Sequence, residues 1–457
     1  MAGCEPGRRL RVAVLVSGGV DSSVALSLVR AAGHEAVGFY LQIWFQEDFR
    51  NFWDACPWEE DLAYARQVCE SAGVPLEVVP MTDQYWDRVV AHSVAEIKAG
   101  RTPNPDMLCN SRVKFGAFFE WLDEHQPERF DRVASGHYAR LVRPQAGLHR
   151  QVETHSNSGS SSSSGTGSSE VRLALTPDAV KDQTYFLAQL SSQQLARAMF
   201  PLGCLTKPQV RSLAAAAGLA TSGRKDSQGI CFLGKVRFGE FVREHLGTWP
   251  GPLVEAENGA VVGLHEGYWF YTVGQRGGIK LPGGPWYVVA KDMRLNTVSI
   301  SRRYHEQGKR RDAFTAGPFN WLGPERPDVS PGAPPLLVKV RHGPATARCR
   351  VLLGPAAAVE AWAARMAALA GSEGGEGGEA RQLREEDVTC GSGVGGAGPG
   401  GEQHGLFLLE ERDQGLAAGQ YAVLYQGGTC LGAAKIQGAI NTAAVGGAAA
   451  GPVGAAV

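Results

Sequence analysis

The stretch that decides the fold runs from Arg11 to Leu28 and reads RVAVLVSGGVDSSVALSL. Its first part, Arg11–Val16, is a short β-branched apolar run, which is typical of a buried parallel strand. The Ser17–Gly19 turn that follows lets the backbone pass close to a bound anion, because glycine has no Cβ to clash. Asp21–Ser23 favour the start of a helix, whose N–H groups and dipole attract negative charge. The stretch therefore predicts a strand, a tight turn and a helix, with an anion site at the turn.

This turn differs from the commonest phosphate-binding loop. No Gly-Lys-Ser/Thr follows it, so a Walker-type loop is excluded. The pattern SGGxDS instead resembles the pyrophosphate loop of ATP pyrophosphatases, which split ATP into AMP and pyrophosphate. An ordinary strand–turn–helix, with glycines present only for packing, is the alternative.

The composition is that of a globular protein with several domains. The 457 residues are 44% hydrophobic and 20% charged, which is enough for ordinary cores in two or three domains. Lys plus Arg number 45 and Asp plus Glu 46, giving a formal charge of −1. This balance argues against a protein held to nucleic acid by bulk charge, although a local basic face remains compatible with it. No apolar stretch is long enough to span a bilayer.

The cysteines indicate a reducing environment. There are nine, an odd number, and they are scattered rather than arranged as a disulfide framework. No pair has CxxC spacing, so a zinc site is not expected. Only ten residues precede the first strand, which is too short for a presequence. We expect a reducing intracellular compartment, a mitochondrion or plastid being suspected and the cytoplasm not excluded.

Strand and helix patterns alternate from Arg11 to Ser135, which predicts a doubly wound parallel α/β sheet. A small central α+β or β domain should follow. From Asp312 onward the pattern is all β, which predicts a small C-terminal β-barrel. One insert is rich in Ser and Gly, a second is rich in Gly and Glu, and the tail consists mainly of Ala, Gly and Val. Such compositions are typical of flexible segments. The predicted domains are 1–235 with an insert at 151–170, 236–306, 312–437 with an insert at 371–401, and a tail at 438–457.

The first informative cysteine, Cys109, lies in GRTPNPDMLCNSRVKFG (Gly100–Gly116). Two prolines stiffen the approach to it, and a helix is predicted to begin near Asn110. A helix start and the neighbouring cations lower the pKa of a thiol, and the thiolate is the nucleophile. The alternative is a cysteine packed under a Pro-rich loop.

The second informative cysteine, Cys231, lies in GRKDSQGICFLG (Gly223–Gly234). It follows a basic stretch, and flanking glycines leave room for movement, a setting that suits a reactive thiol. A small buried residue in an ICFL strand is the alternative.

Five motifs in this order together resemble the tRNA-specific 2-thiouridylase family. They are SGGVDSS, GRTPNPDMLCN, SGHYAR (Ser135–Arg140), KDQTYFL (Lys181–Leu187) and KDSQGICFLG. TVGQRGG, PWYVV and LYQGGTCLG match the same family further along, so the resemblance covers about Arg11 to Gln437 without the inserts. FWDACPWEEDL (Phe52–Leu62) looks more like the plant and algal branch than the bacterial one.

The resemblance implies replacement of the C2 oxygen of the wobble uridine, position 34 of certain tRNAs, with sulfur. ATP and Mg²⁺ would serve as cofactors, with AMP and pyrophosphate released, and no protein metal site is expected. The implied nucleotide-binding residues are Leu15, Val16, Ser17, Gly18, Gly19, Val20, Asp21, Ser22, Leu41 and Gly136. Asp21 would contact magnesium or the N–H groups of its own loop.

The same resemblance assigns the sulfur chemistry to the two cysteines. Cys231 would carry a persulfide and attack the activated C2. Cys109 would then attack the bridging sulfur, leaving a transient Cys109–Cys231 disulfide, or would release sulfide first. Asp106 is the candidate general acid or base, with a turn-capping role as its alternative.

The implied tRNA contacts lie in three places. Asn104, Pro105 and Asp106 would touch the target base. The remaining contacts would be Lys181, Asp182, Gln183, Arg341 and His342. The implied partners are tRNAs, with Lys, Glu and Gln acceptors expected, and an upstream sulfur carrier or cysteine desulfurase system; no membrane partner is expected.

Two other function classes remain open from the residues alone. Amide-forming ATP pyrophosphatases, such as NAD, GMP or argininosuccinate synthetases, use the same loop but need no cysteine pair. A non-catalytic RNA-binding protein that keeps the fold would bind tRNA with a steep salt dependence and release no AMP.

Overall fold

The computed structural model describes ten ranges of the chain. They are 8–43, 58–143, 171–225, 238–279, 281–303, 312–323, 326–328, 333–371, 402–411 and 416–440. Cys231, the 151–170 insert and nearly all of the 371–401 insert lie outside the described residues. Most of the predicted tail does as well, but the last strand runs to Ala439, two residues past the predicted limit of the barrel.

The first sheet has five parallel strands, which confirms the predicted doubly wound fold. In chain order they are Arg11–Leu15, Glu35–Gln42, Leu76–Pro80, Arg132–Ala134 and Ala198–Met199. Their order across the sheet is third, second, first, fourth, fifth. The direction of winding therefore reverses beside the first strand, and ligands of such sheets bind at the carboxyl ends of the strands at this point.

Both faces of this sheet are buried. Val12 and Val14 pack with one apolar cluster, while Ala13 and Leu15 pack with another. The two-residue alternation of a strand places these pairs on opposite faces. Helices cover each face, so the run Arg11–Leu15 is apolar almost throughout, as a central parallel strand requires.

The described helical segments include two π-helical stretches. They are Val20–Ala31, Trp58–Ser71, Thr82–Tyr85, Trp86–Val90 (π), Ala91–Lys98, Pro105–Leu108, Cys109–Ala117 (π), Phe118–His125, Thr184–Leu187, Ser192–Arg197, Lys207–Ala216, Phe238–Leu246, Tyr268–Phe270 (3-10) and Ala356–Gly371. Within the described ranges, no helix combines the length and the apolar character needed to cross a bilayer.

A four-stranded sheet forms the central domain. Its strands are Gly251–Glu255, Val261–His265, Tyr287–Asp292 and Thr297–Ser301. Gly251–Glu255 pairs in parallel with Thr297–Ser301, and the two outer pairings are antiparallel. This small, mainly β unit agrees with the predicted central domain.

The C-terminal strands close into an antiparallel barrel, as predicted. Six strands form it: Ala313–Trp321, Leu337–Lys339, Ala347–Gly354, His404–Leu409, Tyr421–Gln426 and Thr429–Ala439. Ala313–Trp321 pairs with both His404–Leu409 and Thr429–Ala439, which completes the ring. A hairpin of Arg140–Val142 and Arg172–Ala174 extends this sheet from the first domain, through Leu173 and Ala174.

The expectation of an all-β C-terminal region is wrong at one point, because Ala356–Gly371 is a helix. Val359, Trp362 and Met366 recur at helical spacing on one face. They pack on a barrel cluster that includes Leu352. The alanine-rich sequence has high helix propensity, and this apolar stripe gives it a surface to cover.

Candidate active site

The Ser17–Ser22 loop connects the first strand to the first helix. Gly19 is the N-cap of that helix, with φ −87° and ψ 162°, and no side chain caps the helix end. The first N–H groups of an α-helix have no partners within it, so they remain available to an anion. The Ser22 hydroxyl accepts from Ser17 N at 3.2 Å and donates to Gly19 O at 3.0 Å, which holds the turn in shape.

Two glycines let other parts of the chain approach this loop closely. Gly18 has φ +72°, and a Cβ added there would lie 2.2 Å from the carbonyl oxygen of Asp61. A Cβ on Gly136 would lie 2.7 Å from Asp21 C and from Ser22 N. The backbone cradle therefore depends on missing side chains, as an anion-binding loop requires. These features fit the phosphates of a nucleotide.

The other predicted nucleotide residues lie at the same edge of the sheet. Leu41 belongs to the strand on one side of Arg11–Leu15, and Gly136 follows the strand on the other side. Leu41 is partly buried against the core and pairs with Val79. The structure thus brings the predicted nucleotide residues together at the carboxyl ends of neighbouring strands.

Asp21 has a different partner from those expected. Its two carboxylate oxygens accept hydrogen bonds from Lys207 Nζ at 2.8 and 2.9 Å, and Oδ1 also accepts from Tyr138 Oη at 2.8 Å. The carboxylate is therefore bound to a cation and a phenol, and its contact with magnesium stays a prediction. The described residues contain no group of three or more His, Cys, Asp or Glu side chains that could hold a metal.

Lys207 is a site residue that the sequence reasoning missed. It is 9% exposed and opens the helix Lys207–Ala216, which Thr206 and Gln209 cap reciprocally. Its backbone N–H also donates to Asp178 Oδ2 at 2.9 Å. The capping pattern was readable from TKPQ, but the contact with Asp21 arises only in the folded chain.

Arg224 ties a second distant segment to the loop. Its Nη1 donates to Gly18 O at 2.8 Å and lies 2.8 Å from Asp61 Oδ1. The guanidinium also stacks over the Tyr64 ring at 4.3 Å. Burial raises the pKa of Asp61, against the opposing effect of Arg224. In the sequence, Arg224 stands seven positions before Cys231.

Cys109 lies inside a helical run rather than just before one, so the predicted helix start near Asn110 is wrong. Asn104 is the N-cap, with its Oδ1 accepting from Met107 N at 3.1 Å, and Pro105 occupies the first turn. Proline favours this position because its fixed φ suits the helix and its missing N–H is not needed there. Cys109 begins the π-helical stretch and is 1% exposed, so a reaction at its sulfur requires local opening of the structure around it.

A buried histidine connects the Gly136 strand end to the helix that carries Cys109. His137 Nδ1 lies 2.8 Å from Ser135 Oγ, and its ring lies 5.9 Å from the rings of Phe115 and Phe200. Burial, with a smaller effect of Lys114, lowers the pKa of His137 to about 3. The imidazole is therefore neutral and packs between the two elements.

The predicted base-contacting and tRNA-contacting residues come together from both ends of the chain. His342, on an exposed turn of the barrel, stacks on Phe186 at 4.6 Å and hydrogen-bonds to the backbone of Asp182. Partial burial lowers the pKa of His342, whereas nearby Asp106 acts to raise it. The side chain of Asn104 contacts Tyr185, which also lies within the field of Arg341.

Several of these side chains already make hydrogen bonds within the protein. Asp182 is 2% exposed and accepts from Thr176 N at 2.8 Å and Thr184 N at 3.1 Å. Gln183 Oε1 accepts from Tyr138 N at 2.9 Å. Lys181 is only partly buried. Contact of these residues with tRNA remains a prediction, and their own bonds make Asp182 and Gln183 supports of the turn that carries Lys181.

Comparisons with known proteins decide the family. Three family models match in order: the tRNA methyl transferase HUP domain at residues 10–235, the tRNA methyl transferase PRC-barrel domain at 239–302, and the Aminomethyltransferase beta-barrel domain at 404–436. The tRNA-specific 2-thiouridylase MnmA of Porphyromonas gingivalis is 41% identical over 346 residues, which are 73% of this chain and 85% of the relative. MnmA 1 of Bacteroides thetaiotaomicron is 34% identical over 430 residues, 93% and 99% of the two chains.

The chain belongs to the tRNA-specific 2-thiouridylase family. This is a family of tRNA sulfurtransferases, and its HUP domain is a nucleotide-binding fold, in keeping with the loop geometry. The relatives named above are bacterial, and assignment to the plant and algal branch stays a prediction. Among solved structures, an NMN synthetase from Francisella tularensis matches with a TM-score of 0.27 and 13% identity over 52% of this chain and 77% of that one, too low to bear on fold or function.

Proposed function

We propose that this chain replaces the C2 oxygen of uridine 34 in tRNA with sulfur, using ATP to activate the carbonyl. The observation that carries the proposal is the Ser17–Ser22 loop at the switch point of the parallel sheet, linked through Gly136 and His137 to the helix of Cys109. Membership of the 2-thiouridylase family supplies the substrate class.

The first step makes a good leaving group from a poor one. The uracil O2 attacks the α-phosphorus of ATP, an O–P bond forms, and the bond from this phosphorus to the bridging oxygen breaks. Pyrophosphate leaves with the electron pair, and the N3 proton passes to a base, for which Asp106 is the candidate. The product is an O2-adenylated base whose C2 is open to a nucleophile.

The loop residues would stabilise the charge that builds up on pyrophosphate. The helix N-terminus after Gly19 presents N–H groups and the positive end of a dipole. Lys207 adds a buried positive charge next to that end and offsets the negative charge of Asp21. Magnesium would enter as the complex with ATP, held by phosphate oxygens and water.

The second step transfers sulfur. A persulfide on Cys231 attacks C2 through its outer sulfur, a C–S bond forms, and AMP leaves with the electron pair of the C–O bond. Cys109, as thiolate, then attacks the inner sulfur, the S–S bond breaks, and N3 recovers a proton. This leaves 2-thiouridine and a Cys109–Cys231 disulfide, which a dithiol reductant returns to two thiols.

An alternative order uses the same two cysteines. Cys109 would attack the persulfide first and release hydrosulfide, which then attacks C2. Both orders consume one persulfide per base and need the same reductant, which suits a reducing compartment. An upstream sulfur carrier or desulfurase would renew the persulfide on Cys231.

The base must leave the anticodon stack to be reached, which single-stranded loops allow at low cost. Asn104–Asp106 would read the target base. His342 lies near Asp106, and Arg341 lies near Tyr185, which Asn104 contacts. Together with Lys181 they would contact the rest of the anticodon stem-loop, the cations through phosphate.

The test is nucleoside mass spectrometry after incubating the protein with unmodified tRNA, ATP, magnesium and a persulfide source. We expect 2-thiouridine at position 34, lost in Cys231→Ser and in Cys109→Ser but kept in Cys204→Ser, which changes an exposed cysteine. Thiolation by Cys231→Ser would overturn the persulfide assignment. If AMP is released without thiouridine, and its release is unchanged when either cysteine is replaced, an amide-forming pyrophosphatase is favoured. If no AMP is released and no thiouridine forms, a non-catalytic RNA-binding protein is favoured.

A further inference from the structure

The segment that leads to Cys109 is poor in backbone donors. Pro103 and Pro105 have no N–H groups, so the turn Arg101–Pro105 has few donors of its own for its carbonyl oxygens. Buried or half-buried carbonyls need partners, and leaving them without any costs stability and order. The partners here come from another domain.

Gln420, directly before the barrel strand Tyr421–Gln426, supplies them. Its Nε2 donates to Thr102 O at 3.1 Å and to Pro103 O at 2.8 Å, and its Oε1 accepts from Asn104 Nδ2 at 3.2 Å. One side chain thus bonds to three successive residues of the turn. The amide of Asn104 is thereby oriented so that its Oδ1 caps the turn Pro105–Leu108.

The contact extends to the backbone beside Gln420. Thr102 N donates to Ala418 O at 2.8 Å. Gly419 has φ +94°, and a Cβ there would lie 2.8 Å from Thr102 O and 2.9 Å from Arg101 Cβ. The barrel chain therefore passes so close to the turn that only glycine fits.

We infer that Gln420 is a positioning residue of the active site, through which the barrel holds the Thr102–Asn104 turn and thereby the burial and placement of Cys109. The inference rests on the proposed function in giving Cys109 a chemical role. The turn leads directly into two groups that the reaction must align, the predicted base-contacting residues Asn104–Asp106 and the thiol of Cys109.

The principal test replaces Gln420 with methionine, which has a similar length but cannot make the three hydrogen bonds. The matched control is Gln426→Met at the other end of the same strand, where Nε2 donates to Asp328 O and Pro334 O of the same C-terminal domain. Iodoacetamide labelling of Cys109 is followed by peptide mass spectrometry and normalised to the exposed Cys204.

In Gln420→Met we expect Cys109 to label about tenfold faster, as in a locally opened segment. We expect kcat for thiolation to fall about 10- to 100-fold, with KM for tRNA within a factor of about two, because alignment and not binding is lost. Gln426→Met should leave both readouts as in the parent protein.

Unchanged labelling and kcat in Gln420→Met would overturn the inference, as would a raised KM for tRNA with kcat retained. If Gln420→Met does not fold, Gly419→Ala tests the same contact, since its Cβ pushes on Thr102; faster labelling of Cys109 supports the inference and unchanged labelling overturns it. The labelling readout needs no tRNA. Failure of the parent protein to thiolate tRNA would therefore refute the proposed function without deciding whether Gln420 holds the turn.

Discussion

Lys207 and Asp21, 186 positions apart, form an ion pair in the first turn of the helix that follows the Ser17–Ser22 loop, with Nζ 2.8 Å from Oδ1. An aspartate at a phosphate-binding helix end would repel the phosphates it stands beside. Lys207, which is buried, offsets the negative charge of Asp21. The N–H groups at the start of the helix therefore still attract phosphate.

Replacing Lys207 by methionine should therefore slow adenylation. We expect AMP release in the presence of tRNA to fall about 100-fold, the scale seen when a preorganised charge partner is removed. tRNA affinity should change little. The measurement is AMP release with filter binding of tRNA, and Lys98→Met, which removes an exposed lysine, is the control.

A double variant separates a structural role of the Lys207–Asp21 ion pair from its role in adenylation. The double variant Asp21→Asn/Lys207→Met removes both charges, and replacing both members of a buried pair restores much of the stability that one replacement loses. We expect it to unfold near the parent temperature and still release little AMP. Recovery of AMP release in the double variant would contradict the role given to Lys207.

The backbone conformation of Gly18 predicts that alanine is more destabilising at this position than at its neighbour Gly19. Gly18→Ala places a Cβ 2.2 Å from Asp61 O at φ +72°, whereas a Cβ on Gly19 meets only Ser17 Oγ at 3.6 Å. The backbone strain alone costs about 1–3 kcal/mol. Urea unfolding without nucleotide should show this loss for Gly18→Ala and a smaller one for Gly19→Ala, where alanine is only a poorer N-cap; equal effects would disprove the argument.

Much of this loop was predictable because its signals are local. Strand, glycine turn and helix start follow one another from Arg11 to Ser23, and each depends on neighbours a few positions away. The start of the Cys109 helix was also readable, since Asn104 and Pro105 are good N-cap and N1 residues. The prediction instead placed the helix after the cysteine, because it took Pro103 and Pro105 only as residues that stiffen the approach to Cys109.

The rest could not be read from the sequence, because it depends on contacts between distant segments. Nothing near Lys207 indicates that it meets Asp21, and nothing near Gln420 indicates that it meets Thr102. The helix Ala356–Gly371 is an intermediate case. Its apolar stripe was visible, but a Gly-rich segment adjoins it and its packing surface is made by strands on either side.

Glu96 forms a second link between the segment that leads to Cys109 and the barrel. Its ionisation predicts that the free energy of unfolding depends on pH. Its carboxylate accepts from Arg101 at 2.7 and 2.8 Å and pairs with Lys435 of the barrel. The Arg101 hydrogen bonds, with Lys435 and against the effect of burial, lower the pKa of Glu96 to about 2.

A depressed carboxyl pKa stabilises the folded protein above its ordinary value near 4.5, and this contribution is lost as the pH falls toward 2. Glu96→Gln should lower the free energy of unfolding by about 1.5–3 kcal/mol at pH 7, the range for hydrogen bonds to charged groups. Urea unfolding between pH 7 and pH 3 should show the difference from the parent shrinking with acid. A difference that stays constant over this range would refute the assignment.

Lys181 is the residue for which a phosphate contact is easiest to measure. Asp182 and Gln183, which directly follow it, fix the turn through their own hydrogen bonds, and the side chain of Lys181 is partly buried. A single phosphate contact contributes roughly 0.7–0.9 to the slope of log affinity against log salt concentration. Lys181→Ala should flatten the slope for tRNA by that amount, whereas Arg30→Ala, which removes an exposed charge at the far end of the first helix, should not. Weaker binding with an unaltered slope would mean that Lys181 acts on the fold of the turn and not on phosphate.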